Sequence, residues 1–280
     1  MLLLDLILLF FPSFSLFLSE DIDDNFMTSR IKDASGKNLM KLFYDVNLNY
    51  YGSDLAYYYN KNTVNKLGVP MYWYEQSDGN GDWTDFVDWL YFFSNNTADV
   101  DFYSDVENRI DVKSLLKQMV VESFMLASDN LASGANYYTY HNCDDKNLWS
   151  LIEFDFDECF KFDPITKLAE EMTENVFEFF DDDDVEERNP VVMRILNYQS
   201  YNETYQNYYR TFLTKVFGSE SKQQPQARYA QMMQLLLPWV ARDKIWQLSF
   251  GVTPSQWVLD AELSIEMLGA RYQTVSEQLI

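Results

Sequence analysis

The clearest pattern in the chain follows Asp111. Val112, Leu115, Leu116, Met119, Val120 and Phe124 recur at i, i+3, i+4, i+7, i+8 and i+12, which predicts one apolar helix face with Asp111 as its cap. Trp83, Phe86, Val87, Leu90 and Tyr91 show the same periodicity behind Asp82, a second capping position. Between residues 39 and 75 short aromatic runs are broken by Asn, Gly and Asp, which predicts strands and loops, and 77–82 reads as a turn cluster. Past the helix after Asp111 the spacing changes. Asn136 to Tyr140 and Leu148 to Phe154 read as two strands joined by 141–147, a β-hairpin. Helical spacing then returns over about 190–217, 226–248 and 254–277, with Thr253-Pro254 as a helix start. No internal repeat interrupts this order. The fold class predicted is α+β, mainly helical, around a hairpin.

The first 18 residues, MLLLDLILLFFPSFSLFL, stand apart. They have the apolar core of a signal peptide, but no basic start, an interrupting Asp5 and no small-residue cleavage site. Pro12 breaks a continuous span. Two readings stay open: an atypical signal, or an internal segment behind a misplaced start. The domain division expected is 1–18 as a separate apolar segment and 19–280 as the folded unit. The N-x-T triplets at Asn95 and Asn202 favour a secreted or cell-surface location.

With 280 residues and 47% hydrophobic content, the chain can bury one large core. Its 20 Tyr, 21 Phe and 7 Trp are read as packing residues. Against 21 Lys and Arg stand 44 Asp and Glu, a net charge of −23. Such a chain repels nucleic acid and anionic lipid and suits a metal ion or a basic protein partner. A membrane role is expected only if residues 1–18 are a retained anchor. The run Asp181–Asp184 reads as a solvated loop. Cys143 and Cys159 flank the second hairpin strand in a way that makes a direct bridge awkward. The single histidine, His141, falls at the hairpin turn and reads as solvent-facing.

Candidate chemistry is concentrated around the hairpin. Asp129 follows the apolar helix, Asn136 opens the first strand, and Asp155-Phe156-Asp157 closes the second. A carboxylate that can take a hydroxyl proton, followed by an amide oxygen and a carboxylate that can hold magnesium, is the order a phosphoryl-transfer site uses. Each residue has a plainer reading. Asp129 could cap or turn, Asn136 could end a strand, and the Asp pair could be a solvated edge. Continued as a strand, 155–157 would place both carboxylates on one side, where they repel unless a cation lies between them. A structural metal site anchoring the hairpin is therefore a further alternative.

At these residues the sequence resembles the CotH kinase family of spore-coat-protein-H-like secreted kinases. The similarity runs from Glu20, Asp23 and Phe26 (an E-x-x-D-x-x-F segment), through the helices at Phe86–Leu90 and Asp111–Leu116, to Asn136-Tyr-Tyr-Thr-Tyr and Ile152-Glu-Phe-Asp-Phe-Asp157. Asn189-Pro190, Arg194-Ile-Leu and the closing helix with Arg271 continue it. The resemblance implies a protein-kinase-like large lobe and transfer of phosphate from ATP, with Mg2+, to a protein. Asp129 would be the base, Asn136, Asp155 and Asp157 the metal residues, and Glu20 and Asp21 would lie near the nucleotide. The sequence departs from the family in having no visible G-x-G-x-x-G loop or paired Lys, Glu153-Phe154 in place of Pro-Trp, and Lys161 in place of Gly. The expectation is thus an absent or incomplete small lobe and impaired transfer. The alternative is a non-catalytic binding or adhesion protein derived from the same fold.

Overall fold

The computed structural model describes residues 22, 24–30, 38–42, 48–59, 62–64, 70–72, 74–78, 82–94, 97–127, 130–132, 134, 136–142, 148–156, 159, 174–180, 189–218, 221, 224–242 and 253–279. Among these, α1 (Asp24–Arg30) precedes β1 (Leu39–Leu42). A one-turn helix α2 (Ala56–Tyr59) and the strands β2 (Asn62–Val64), β3 (Pro70–Tyr72) and β4 (Tyr74–Asp78) fill the region read as strands and loops. β2 pairs with β3 in a separate two-stranded sheet. The hairpin is β5 (Tyr137–Asn142) and β6 (Leu148–Glu153). It is half of a four-stranded antiparallel sheet of order β4-β1-β5-β6, with β5 inside and β6 at an edge.

Alternation along the strands sorts the two faces of this sheet. Met40, Leu42, Tyr74, Tyr137, Trp149 and Leu151 enter the main core. Leu39, Tyr138 and Tyr140 turn the other way and pack with Ile22 and Met27, with Ile152 and Phe154 against them. The second face is therefore covered by α1 and Ile22.

Helices cover the first face. α3 (Thr84–Phe93) starts where Asp82 accepts the Thr84 N–H at 2.9 Å. Its buried side is set by Trp89, which stacks on Trp149 at 5.0 Å and meets Phe93 at 4.9 Å. Tyr91, assigned to the apolar face by spacing, is displaced outward by that stacking and is 45% exposed. α4 (Asp99–Asp105) leads through a tight turn to α5 (Val112–Met125). Asp111 caps α5 by accepting the Ser114 N–H at 3.1 Å. All six residues of its predicted face are buried, and so are Val121, Glu122, Ser123 and Met125. The last turns of α5 are enclosed all round.

The stretch predicted as one helix over 190–217 divides at Asn197–Tyr198, where Tyr198 is extended (φ −89°, ψ 117°). It forms α6 (Pro190–Leu196) and α7 (Gln199–Val216). α7 lies on α5, with the Ser123 hydroxyl hydrogen-bonded to those of Tyr205 and Tyr209. α8 (Pro225–Val240) is shorter than its apolar pattern suggested and packs on α9 (Pro254–Gln278). Thr253 caps α9 through the Gln256 N–H at 3.1 Å. From α9 the buried Arg271 donates to the carbonyls of Ser123 (2.8 Å), Phe124 (3.3 Å) and Glu174 (2.7 Å), satisfying the end of α5. Cys159 is buried, while Cys143 lies outside the described residues. No described helix is long and apolar enough to cross a membrane.

Candidate functional site

The hairpin ladder runs from Asn142↔Leu148 to Tyr137↔Glu153. One more hydrogen bond follows, from the Phe154 N–H to the Asn136 carbonyl at 3.0 Å. There both strands end, because Asn136 (φ 53°) and Asp155 (φ 58°) adopt left-handed backbone. Asn and Asp enter this region more easily than other L-residues, since their short polar side chains hydrogen-bond locally. Two candidate metal residues thus flank the same end of the hairpin, and Asp155 is exposed. The strand geometry expected for Asp155 and Asp157 is corrected: β6 stops at Glu153 and Phe156 begins a tight turn, so strand alternation cannot put the two carboxylates on one side. Asp157 lies outside the described residues, as do Asp129, Glu20 and Asp21.

The turn after Asp129 is described from Asn130 and is tied down on three sides. The buried Asn130 carboxamide donates to the Phe154 carbonyl at 2.8 Å and to the Asn136 carbonyl at 3.3 Å. It therefore bridges the two strand ends. Glu122, in the last turn of α5, accepts the Ala132 N–H at 3.0 Å and a further N–H from Leu131. Asn189, which caps α6 through the Val191 N–H at 3.1 Å, donates its amide to the Leu131 carbonyl at 3.3 Å. Ala127 and Asn130, on either side of residues 128–129, are each 1% exposed.

Beneath this turn two acids meet. Glu122 is fully buried, and Glu153 points from β6 into the same core face. Glu153 keeps some exposure as a residue, but its Oε1 is shut from solvent. Neither Glu122 Oε2 nor Glu153 Oε1 finds a donor among the described residues. One proton held between the two carboxyls satisfies both oxygens. Burial pushes the Glu122 carboxyl well above the usual carboxylate range, and the neighbouring Glu153 adds to this. Burial likewise raises Glu153, against the hydrogen bond from Glu122. Burial, then the charge of Glu122, pushes the Tyr137 hydroxyl far up.

The opposite sheet face brings other residues to the same end. Phe154 packs against the cluster that holds Ile22, the described neighbour of Glu20 and Asp21. The Lys41 ammonium lies 5.3 Å from the Phe154 ring centre and 5.8 Å from that of Tyr138. His141 is not the solvent-facing turn residue expected. It pairs with Trp149 in the ladder, stacks on that ring at 4.6 Å, and its Nδ1 meets an Asp85 carboxylate oxygen at 2.8 Å.

Glu122, Asn130, Asn189 and Lys41 were not singled out from sequence as part of the site. Glu122 carried one usable signal: a charged residue inside an otherwise apolar helix stretch. The other three act through long-range contacts that spacing does not encode. Among the described residues no cluster of three or more His, Cys, Asp and Glu side chains converges on one point. Asn136 and Asp155 flank one hairpin end, and an amide oxygen and a carboxylate are donor types that magnesium takes, one or two protein oxygens with phosphate and water completing its shell.

Residues 17–253 match the family described as CotH kinase protein, a span that stops before α9 and its Arg271. Among curated proteins none matches the chain. Because the family pattern covers most of the sequence and contains every candidate site residue, the chain belongs to the CotH kinase family.

Proposed function

We propose that this protein is a kinase-like large lobe that transfers the terminal phosphoryl group of magnesium–ATP to a hydroxyl of a protein substrate. The observation that carries this reading is the placement of Asn136 and Asp155 at the same hairpin end, inside the span matched to the family. Asn136 and Asp155 would hold magnesium, with Asp157 as the second carboxylate. Magnesium would offset the charge that builds on the phosphate oxygens. Asp129 would accept the proton of the attacking hydroxyl as its oxygen bonds phosphorus and the bond to the departing diphosphate breaks. Glu20 and Asp21 precede Ile22, whose packing beside Phe154 supports a position near the nucleotide. Lys41 is a described cation on the same face. With a net charge of −23, a basic substrate segment suits the surface. Secretion or surface display remains the location proposed from the two N-x-T triplets.

A second reading, a non-catalytic binding or adhesion protein derived from the same fold, is favoured by one departure: Glu153 places an acid with a buried carboxyl oxygen two residues before Asp155. Thermal-shift titration separates the two. Magnesium and ATP together should raise the melting temperature more than either alone. The joint shift should vanish in Asp155→Asn. Asp129→Asn should keep the shift and lose phosphoryl transfer. A joint shift without transfer by the wild type would select the binding reading, and no shift with ATP would reject both nucleotide-based roles.

A further inference from the structure

We propose that Glu122 is a positioning residue of this site: from the last turn of α5 its carboxyl fixes the turn at 130–132, and through that turn the strand ends that carry Asn136 and Asp155. The path is continuous. Glu122 Oε1 takes the Ala132 N–H at 3.0 Å, and Leu131 donates to the same carboxyl. Asn189 holds the Leu131 carbonyl from the other side at 3.3 Å. Asn130, the next residue back, spans the Phe154 carbonyl at 2.8 Å and the Asn136 carbonyl at 3.3 Å. Displacing this turn displaces both left-handed residues.

A core-filling role does not account for an acid here. Glu122 is 0% exposed, and the acid nearest it is another carboxyl, Glu153. Leu or Met would fill the same volume without the desolvation penalty of a buried acid. What Leu or Met cannot do is accept two main-chain N–H groups of a turn that has no ladder to join. The same carboxyl also meets Glu153, the last residue of β6, so one side chain links helix, turn and hairpin.

The kinetic half of the test rests on the phosphotransfer reading, and the exchange half does not. Glu122→Ala, Glu122→Asp and Glu122→Gln would be made in the full chain. Amide hydrogen exchange would be followed at Leu131 and Ala132, with α7 as internal reference. Glu122→Ala should speed exchange at these two amides by about tenfold or more while α7 is unchanged, since a local hold is lost. Glu122→Gln keeps an acceptor for Ala132 and can donate to Glu153, so it should restore protection. With magnesium–ATP and a basic peptide acceptor, Glu122→Ala should lower kcat about 100-fold with KM for ATP changed less than about threefold, the signature of misplacement rather than lost binding. Glu122→Gln should recover most of kcat. If Glu122→Ala does not fold, Glu122→Asp, which withdraws the acceptor by one methylene, is compared with Glu122→Gln in both assays.

Unchanged exchange at 131–132 in the shortened variants overturns the proposal. So does equal exchange loss across α7, or a kcat per folded molecule that does not move. A wild type without phosphoryl transfer removes the phosphotransfer reading instead, and the exchange result alone then decides the role of Glu122.

Discussion

Asn136 and Asp155 lie at the same end of one hairpin with the same left-handed backbone, φ 53° and φ 58°, on either side of the hydrogen bond from the Phe154 N–H to the Asn136 carbonyl. Such backbone persists where surrounding structure holds it, and it gathers at functional sites. It also separates folding from chemistry. Asn136→Gly and Asp155→Gly keep the backbone the hairpin end requires and should leave stability within about 0.5 kcal/mol, since Gly adopts positive φ freely. Both should lose the magnesium-dependent thermal shift. Asn136→Val should instead destabilise by about 1–2 kcal/mol, from the steric penalty of left-handed backbone. Urea unfolding of the three variants, with and without magnesium, checks this.

Glu122 and Glu153 make stability depend on pH in a definite direction. Their carboxyls are raised above the ordinary value near 4.5, so the folded state holds a proton that the unfolded chain releases first. The contribution is fully present below the unfolded pKa and is lost as pH rises through the raised folded pKa. Glu153→Gln supplies a neutral partner at every pH. Its stability relative to wild type should therefore increase as pH rises from about 4.5, the unfolded value for Glu. Melting temperatures of both proteins across pH 4.5 to 8.5 test this, and a constant difference would contradict the shared proton.

Asp111 is the cap of α5, the helix whose last turn carries Glu122. Asp111→Ala leaves the Ser114 N–H without its acceptor and should cost about 1 kcal/mol. For a chain of this size that is about 2–4 °C in melting temperature, read by circular dichroism. The magnesium–ATP shift should survive.

Arg271 closes the other end of α5. Replacement by Met leaves the carbonyls of Ser123, Phe124 and Glu174 without their common donor. The loss should exceed about 3 kcal/mol, since each buried unsatisfied group costs about 1–3 kcal/mol. Arg271→Lys should recover little, because an ammonium cannot reproduce the planar fork that reaches both the end of α5 and Glu174. Denaturant midpoints of the two variants would show whether charge or shape is the essential property.

Much of the framework was legible from spacing and caps. Asp111 with its periodic apolar residues, the strands read at 136–140 and 148–154, and Thr253-Pro254 are local signals, and each element formed within a residue or two of where they lie. The errors arose where a distant contact outweighs a local one. Tyr91 fits a helical stripe, but stacking of Trp89 on Trp149 turns it outward. His141 is a turn residue by position, yet Trp149 and Asp85 enclose it. Asp155 alternates correctly for a strand, but the ladder ends one residue after Glu153.

The order Asp129, Asn136, Asp155, Asp157 and the family membership follow from the amino-acid sequence alone, because they depend on which groups occur and how far apart. How the site is held was decided by tertiary structure. Glu122, Asn130 and Asn189 come from three separate places in the chain and meet at one turn because its main-chain groups, outside any helix or ladder, need partners. Sequence spacing records periodicity within an element. It does not record which buried donor finds which acceptor between elements, and here that pairing ties the turn at 130–132 to the strand ends at Asn136 and Phe154.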